Sequence, residues 1–124
     1  MGKAWDTAQE YFRCVRASDA DGIARLFADD AVLSLFDGTV RRGRGAIRDF
    51  YANTAMRPGL APQPQAPIED GNRCAVEIMV YGSDGVPHRP LDVFTMNDDG
   101  EITTLRAYMG HVLEEDVQHA AGQE

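Results

Sequence analysis

A carboxyl group inside an apolar strand is the first candidate for chemistry in this chain. Asp92 sits in Pro90-Leu91-Asp92-Val93-Phe94-Thr95-Met96. Strand alternation sets it on one face with His88, Pro90, Phe94 and Met96. No Lys or Arg in that strand shares the face, because Arg89 points the other way. An unpaired ionised carboxylate there is costly, so the favoured state is a protonated acid with a raised pKa. Such an acid donates a hydrogen bond, which suits an oxyanion or a carbonyl oxygen. Tyr11 is the second candidate. It shares a helical stripe with Ala8, Phe12 and Val15, so its hydroxyl would be buried and must find a partner. Alone it reads as a core tyrosine; beside Asp92 it supplies another donor for the same ligand oxygen.

The histidines carry less. His88 shares the face of Asp92 four residues earlier, about 13 Å along an ideal strand. Its neighbours Pro87 and Pro90 suit an edge with a solvated ring. His111 and His119 lie in a polar tail. No set of His, Cys and carboxylate residues has metal-ligand spacing, and no Ser-His-Asp or Cys-His arrangement can be argued. The expectation is no metal and no cofactor.

These residues need elements to position them. The periodicity predicts a helix near residues 4–17. A second helix follows Ser18-Asp19, with Asp19 as N-cap, Ile23, Leu26 and Phe27 as its stripe, and Asp29-Asp30 at its end. Residues 31–36 read as a short strand and Asp37-Gly38 as a turn. A third helix runs from about 45 to 56, burying Ile47, Phe50, Tyr51 and Thr54, and Pro58-Gly59 stops it. The prolines at 58, 62, 64 and 67 mark a loop or edge segment. A meander then occupies 73–81, 86–96 and 101–109, turning at Ser83-Asp84-Gly85 and at Asn97-Asp98-Asp99-Gly100. Helices followed by an antiparallel sheet make an α+β domain, predicted as one unit over residues 1–124. Such a sheet curls around its helices and leaves a cavity between them. Both meander faces are apolar: Cys74, Val76, Ile78, Val80, Phe94, Leu105 and Met109 on one, Met79, Tyr81, Leu91, Val93, Ile102 and Tyr108 on the other. One domain can cover only one face with its own helices, which predicts a homodimer.

Composition sets the outer limits. With 124 residues the chain can bury one core. A net charge of −8 disfavours nucleic acid and anionic membrane as partners. Arg41, Arg42, Arg44 and Arg48 are a local exception, read as solvated side chains rather than a phosphate site. No stretch approaches the length of a spanning helix, and the first residues lack an apolar signal core. Cys14 and Cys74 form no framework, so each reads as a small buried hydrophobe in a cytoplasmic protein.

Several stretches together resemble a known family. They are Ser18-Asp19-Ala20-Asp21-Gly22-Ile23 with Leu26-Phe27-Ala28-Asp29-Asp30-Ala31, then Ala46-Ile47-Arg48-Asp49-Phe50-Tyr51-Ala52-Asn53, Pro90-Leu91-Asp92-Val93-Phe94 and Leu105-Arg106-Ala107-Tyr108-Met109-Gly110. In order and spacing they resemble the bacterial Δ5-3-ketosteroid isomerases of the nuclear-transport-factor-2-like (SnoaL-like) superfamily. The resemblance implies a conical α+β barrel, with three N-terminal helices in a curled, mostly antiparallel mixed sheet around an apolar pocket. It also implies a dimer and a ligand that is a small apolar or steroid-like ketone. Tyr11 and Asp92 match the family's oxyanion-hole pair, for which ketosteroid isomerase is itself the standard illustration of a neutral buried acid. Tyr51 matches the tyrosine that supports the first. The expected pocket lining is Val15, Leu35, Phe50, Tyr51, Ile78, Phe94, Leu105 and Met109.

One departure matters. The family's general base is an Asp in Ala-x-x-x-Asp-Pro-x-Gly, and the same positions here read Ala31-Val32-Leu33-Ser34-Leu35-Phe36-Asp37-Gly38. Leu35 holds the base position and cannot take a proton. Asp37 lies two residues on, about 6–7 Å further along the strand. It is a replacement base or plain turn chemistry. His88, on the face of Asp92, is the second candidate for the base. Three readings follow. The chain is a ketosteroid-isomerase-like enzyme with its base moved. Or it is a cyclase, hydratase or epoxide-opening enzyme of polyketide-type metabolism using Asp92 as acid. Or it is a pocket that binds apolar ketones or phenols without turnover.

Overall fold

The computed structural model describes residues 2–55, 62–81 and 87–110. Helix α1 (Lys3–Arg16) buries Ala4, Ala8, Tyr11, Phe12, Cys14 and Val15. Its first turn has no local cap. Instead the Glu69 carboxylate, far along the chain, accepts from the N–H groups of Gly2 (2.9 Å) and Trp5 (2.8 Å). That supplies both the missing acceptors and a favourable charge at the helix start. The helix ends where Ser18 adopts a positive φ of 54°. Asp19 then caps α2 (Ala20–Arg25) by accepting from Gly22 N–H at 2.9 Å, as expected.

Helix α2 is shorter than its pattern implies. Phe27 leaves the helix to pair with Ile102, and its carbonyl accepts twice from the Arg44 guanidinium at 2.9 and 2.7 Å. Strand β1 therefore spans Phe27–Ser34 and contains Asp29 and Asp30, which do not end a helix. Tertiary partners for the Phe27 carbonyl outweigh the local helical stripe. Strand β2 (Val40–Arg42) returns antiparallel, and α3 (Arg44–Phe50) follows. A π-helical turn (Tyr51–Ala55) replaces the last turns of the longer helix expected to 56. The burial predicted for Thr54 and the turn predicted at 83–85 lie outside the described side chains and residues.

The remaining strands are β3 (Gln63–Pro64), β4 (Ile68–Asp70), β5 (Arg73–Tyr81), β6 (Pro87–His88), β7 (Pro90–Met96) and β8 (Ile102–Met109). The sheet runs β2-β1-β8-β7-β5-β3, with β4 and β6 also on β5. Only the β1–β8 pair among these is parallel. The helices come first and a curled, mostly antiparallel sheet wraps them, which is the predicted α+β cone. Its core joins Phe12, Ile23, Phe27, Leu33, Ile47, Phe94 and Leu105.

A bulge corrects one face assignment. Thr95 pairs with Thr104 but Met96 pairs with Ile102, leaving Thr103 as the extra residue. Ile102 and Leu105 therefore both point inward, and both are almost fully buried. Ile102 does not belong to the outer face on which the homodimer was expected. Tyr81, Leu91 and Tyr108 stay exposed there.

The arginine quartet is structural in part. Arg44 ion-pairs with Asp29 (2.7 Å) and Glu101 (3.3 Å), and Arg48 pairs with Asp21 (2.7 Å).

Candidate active site

A cavity of about 210 Å³ opens between α1, the π-helical turn and the concave face of the sheet. Tyr11, Phe12 and Val15 come from α1, Phe50 from the end of α3, Tyr51 from the π-helical turn, and Leu35 from just past the end of β1. Pro62, Ile78, Val80, Pro90 and Asp92 complete the wall. All are apolar or aromatic except Asp92, so a ligand would meet few polar groups, placed at one end.

Asp92 is 7% exposed and is the one charged or polar residue in the buried set of described residues. On β7 the pattern alternates, with Asp92, Phe94 and Met96 buried and Leu91 exposed. No hydrogen-bond donor among the described residues reaches its carboxyl group, so the carboxyl faces cavity space. Burial alone pushes its pKa up from 3.8 to about 7.

The two tyrosines form a pair. Tyr11 Oη and Tyr51 Oη are 2.5 Å apart, and both residues are buried. Either can donate, and whichever accepts keeps its own hydroxyl proton for a ligand. Burial drives the Tyr11 hydroxyl well above its ordinary pKa, and the nearby Tyr51 and Asp92 add to that. Tyr51 is raised chiefly by burial too. Both stay protonated donors at neutral pH. The Tyr11 ring also meets Phe12, Phe27 and Phe94 edge-on, which fixes its plane.

The predicted lining is met in part. Val15, Leu35, Phe50, Tyr51 and Ile78 line the cavity. Phe94 and Leu105 do not; they are sealed in the core beneath it, where the curled sheet packs on α1. Met109 does not either. It pairs with Pro90 at the end of β8 and is 44% exposed. Alternation past Leu105 pointed it inward, but the end of β8 runs beyond the helices that would cover it. Phe12, Pro62, Val80 and Pro90 were missed. Val80 and Pro90 were legible as the alternating neighbours of Ile78 and Asp92; Pro62 carried no signal.

Asp37 is not brought to the cavity. Its carboxylate accepts from Thr39 N–H at 2.9 Å in an exposed turn, and that bond holds its pKa below the usual carboxylate value. Strand β1 ends at Ser34, so alternation no longer governs Asp37. Replacing it by Asn should leave ligand affinity within about twofold of the parent and cost at most ~1 kcal/mol of stability from the turn. Isothermal titration and a thermal melt would check both. His88, on β6, pairs with Val80 of β5 and is also absent from the cavity wall. Leu35, by contrast, lines the cavity wall.

Comparison with known proteins agrees with this architecture. The SnoaL-like domain family matches residues 8–105. A candidate polyketide cyclase from Sinorhizobium meliloti is 27% identical, with 82% of this chain and 93% of that one covered and a TM-score of 0.72. SalBIII, described as an epoxide hydrolase/cyclase-like enzyme in pyran ring formation in the polyether salinomycin, is 26% identical, with 87% and 91% covered and a TM-score of 0.73. Rv0760c from Mycobacterium tuberculosis, solved with estradiol-17β-hemisuccinate, is 22% identical, with 89% and 95% covered and a TM-score of 0.74.

Proposed function

The chain belongs to the SnoaL-like domain family, and from that premise we propose that its cavity binds an apolar, polycyclic or steroid-like ketone and polarises its oxygen between Tyr11 and Asp92. One observation carries the reading: a buried carboxyl without a hydrogen-bond partner among the described residues shares an apolar cavity with a tyrosine pair that has a donor to spare. A protonated Asp92 and the Tyr11 hydroxyl, backed by Tyr51, then stabilise the charge that grows on a carbonyl oxygen as it enolises. An apolar wall offers water few partners, which favours a direct hydrogen bond from these donors to a ligand oxygen. The ligand-bound mycobacterial relative supports an apolar, ring-based ligand.

With Leu35 at the base position, the chain polarises a carbonyl better than it moves a proton from carbon to carbon. That favours a second reading, in which Asp92 acts as a general acid on a substrate that supplies its own nucleophile. Ring closure and epoxide opening are reactions of that kind. Two of the relatives above 25% identity carry cyclase descriptions, which supports it.

Both readings need the same oxygen site. A planar phenol such as 2-naphthol should bind wild type, and the double variant Tyr11→Phe/Asp92→Ala should bind it roughly thirtyfold more weakly, at about 1 kcal/mol per lost hydrogen bond. Equal affinity for both proteins, by fluorescence titration, would remove the oxygen site and both readings with it.

A further inference from the structure

The cavity, at about 210 Å³, lies below the ~300–1,000 Å³ usual where a drug-sized ligand is enclosed. A body of about two fused rings fills such a volume, and a longer ligand must project through the mouth. What it meets there follows from β2. Arg41 pairs with Leu33 across the β1–β2 hairpin, and directly opposed residues of an antiparallel pair share a face. Leu33 is buried and Leu35, two residues on, lines the cavity. Arg41 therefore stands on the concave face, while its neighbours Val40 and Arg42 are exposed. Its guanidinium lies over the Phe50 ring, 5.6 Å from the centroid, and Phe50 is a cavity wall. Arg16 lies one helical turn beyond the wall residue Phe12 and reaches the carbonyl of the wall residue Pro62 at 3.5 Å.

Two guanidinium groups thus rest on two different walls of one cavity. Arg13, Arg44, Arg48 and Arg89 are each paired with a carboxylate; Arg16 and Arg41 form no such pair among the described residues. The carboxylate whose field reaches Arg41 is Asp37, and it is already held by Thr39 N–H. In a chain of net charge −8 these two arginines place positive charge beside the cavity walls.

We propose that the mouth is a carboxylate-binding rim, in which Arg41, assisted by Arg16, holds the anionic end of a ligand whose oxygen end reaches Tyr11 and Asp92. The substrate class narrows to apolar keto or phenolic acids. A guanidinium backed by an aromatic ring keeps its plane fixed and is partly stripped of water, which suits bidentate carboxylate binding. The inner half of this scheme rests on the reading given under Proposed function; the rim does not.

A matched pair of fluorescent probes separates the two. In 6-hydroxy-2-naphthoate the phenol of 2-naphthol is kept and a carboxylate is added at the far end. Wild type should bind the acid about tenfold or more tightly than 2-naphthol at low salt, as a charge-assisted bond allows. That preference should shrink at high salt. Arg41→Gln should bring it to within about twofold of unity, and Arg41→Glu should reverse it, each with the wild-type circular dichroism spectrum. An acid bound no more tightly than 2-naphthol by wild type, or a preference that survives Arg41→Gln, would overturn the rim. An Arg41-dependent preference for the acid, with no effect of Tyr11→Phe/Asp92→Ala on either probe, would uphold the rim and overturn the oxygen site.

Discussion

Leu35→Asp should turn this chain into a measurable ketosteroid isomerase, raising turnover of a β,γ-unsaturated ketosteroid by about 10²–10⁴-fold over wild type, the range a placed general base supplies. Leu35 already faces the cavity that Tyr11 and Asp92 line. The preceding inward positions of β1, Ala31 and Leu33, are almost fully buried, so the strand aims the next alternate side chain into the same space. An Asp at position 35 would take a proton from the carbon beside a carbonyl whose oxygen is already held. Its own ionisation repels charge on Asp92 and keeps Asp92 protonated, which separates base from acid within one pocket. The rise of conjugated-enone absorbance measures the effect. A folded Leu35→Asp that still binds 2-naphthol but isomerises no faster than wild type would overturn this division of roles.

Asp92→Asn should stabilise the protein at pH 8 and do little below pH 4. In the folded state burial lifts the Asp92 pKa from 3.8 to about 7. The group therefore favours the folded state fully below its unfolded pKa, and that advantage drains away as pH rises through about 7. At 1.36 kcal/mol per pH unit the loss approaches about 4 kcal/mol above pH 7. Asn has the same shape and no proton to lose. Its melting temperature should exceed that of wild type by on the order of 10 °C at pH 8, with the gap closing in acid. Glu69 and Asp37 are held below their ordinary values, the first by Trp5 and Gly2 N–H and the second by Thr39 N–H. Their contribution is present above their unfolded pKa values and fades as pH falls. It is common to both proteins, so the difference between the two melting curves isolates Asp92. Parallel curves from pH 4 to 8 would mean that Asp92 is not buried as an acid.

The parts of the site governed by simple periods were legible in the sequence. Period 2 in β7 found Asp92, and the helical stripe found Tyr11. Helical periodicity puts Tyr51 in the core and family likeness supplies its supporting role; the π-helical turn that it opens has no such signature. The errors fall where a long-range partner breaks a local pattern. The Phe27 carbonyl is taken by Arg44, which cuts a helical stripe short. The bulge at Thr103 turns Ile102 inward, and nothing in Ile102-Thr103-Thr104-Leu105 announces it. Asp37 and Leu35 have the same parity, yet the strand ends at Ser34, before both, and Asp37 is held in the following turn by Thr39 N–H. Met109 keeps the parity of a wall residue but runs past the wall. Arg41 was read as one of four solvated arginines; only its pairing with Leu33 places it on the concave face.

The bonds from Glu69 to the start of α1 join residues 67 and 64 positions apart. A helix of 14 residues is marginal alone in water, and here its first amides are accepted by a residue of β4, the strand that pairs with β5. The start of the helix that carries Tyr11 is thus tied to an edge of the sheet, and Glu69→Gln should loosen that tie and lower the melting temperature by removing a charge at the helix start.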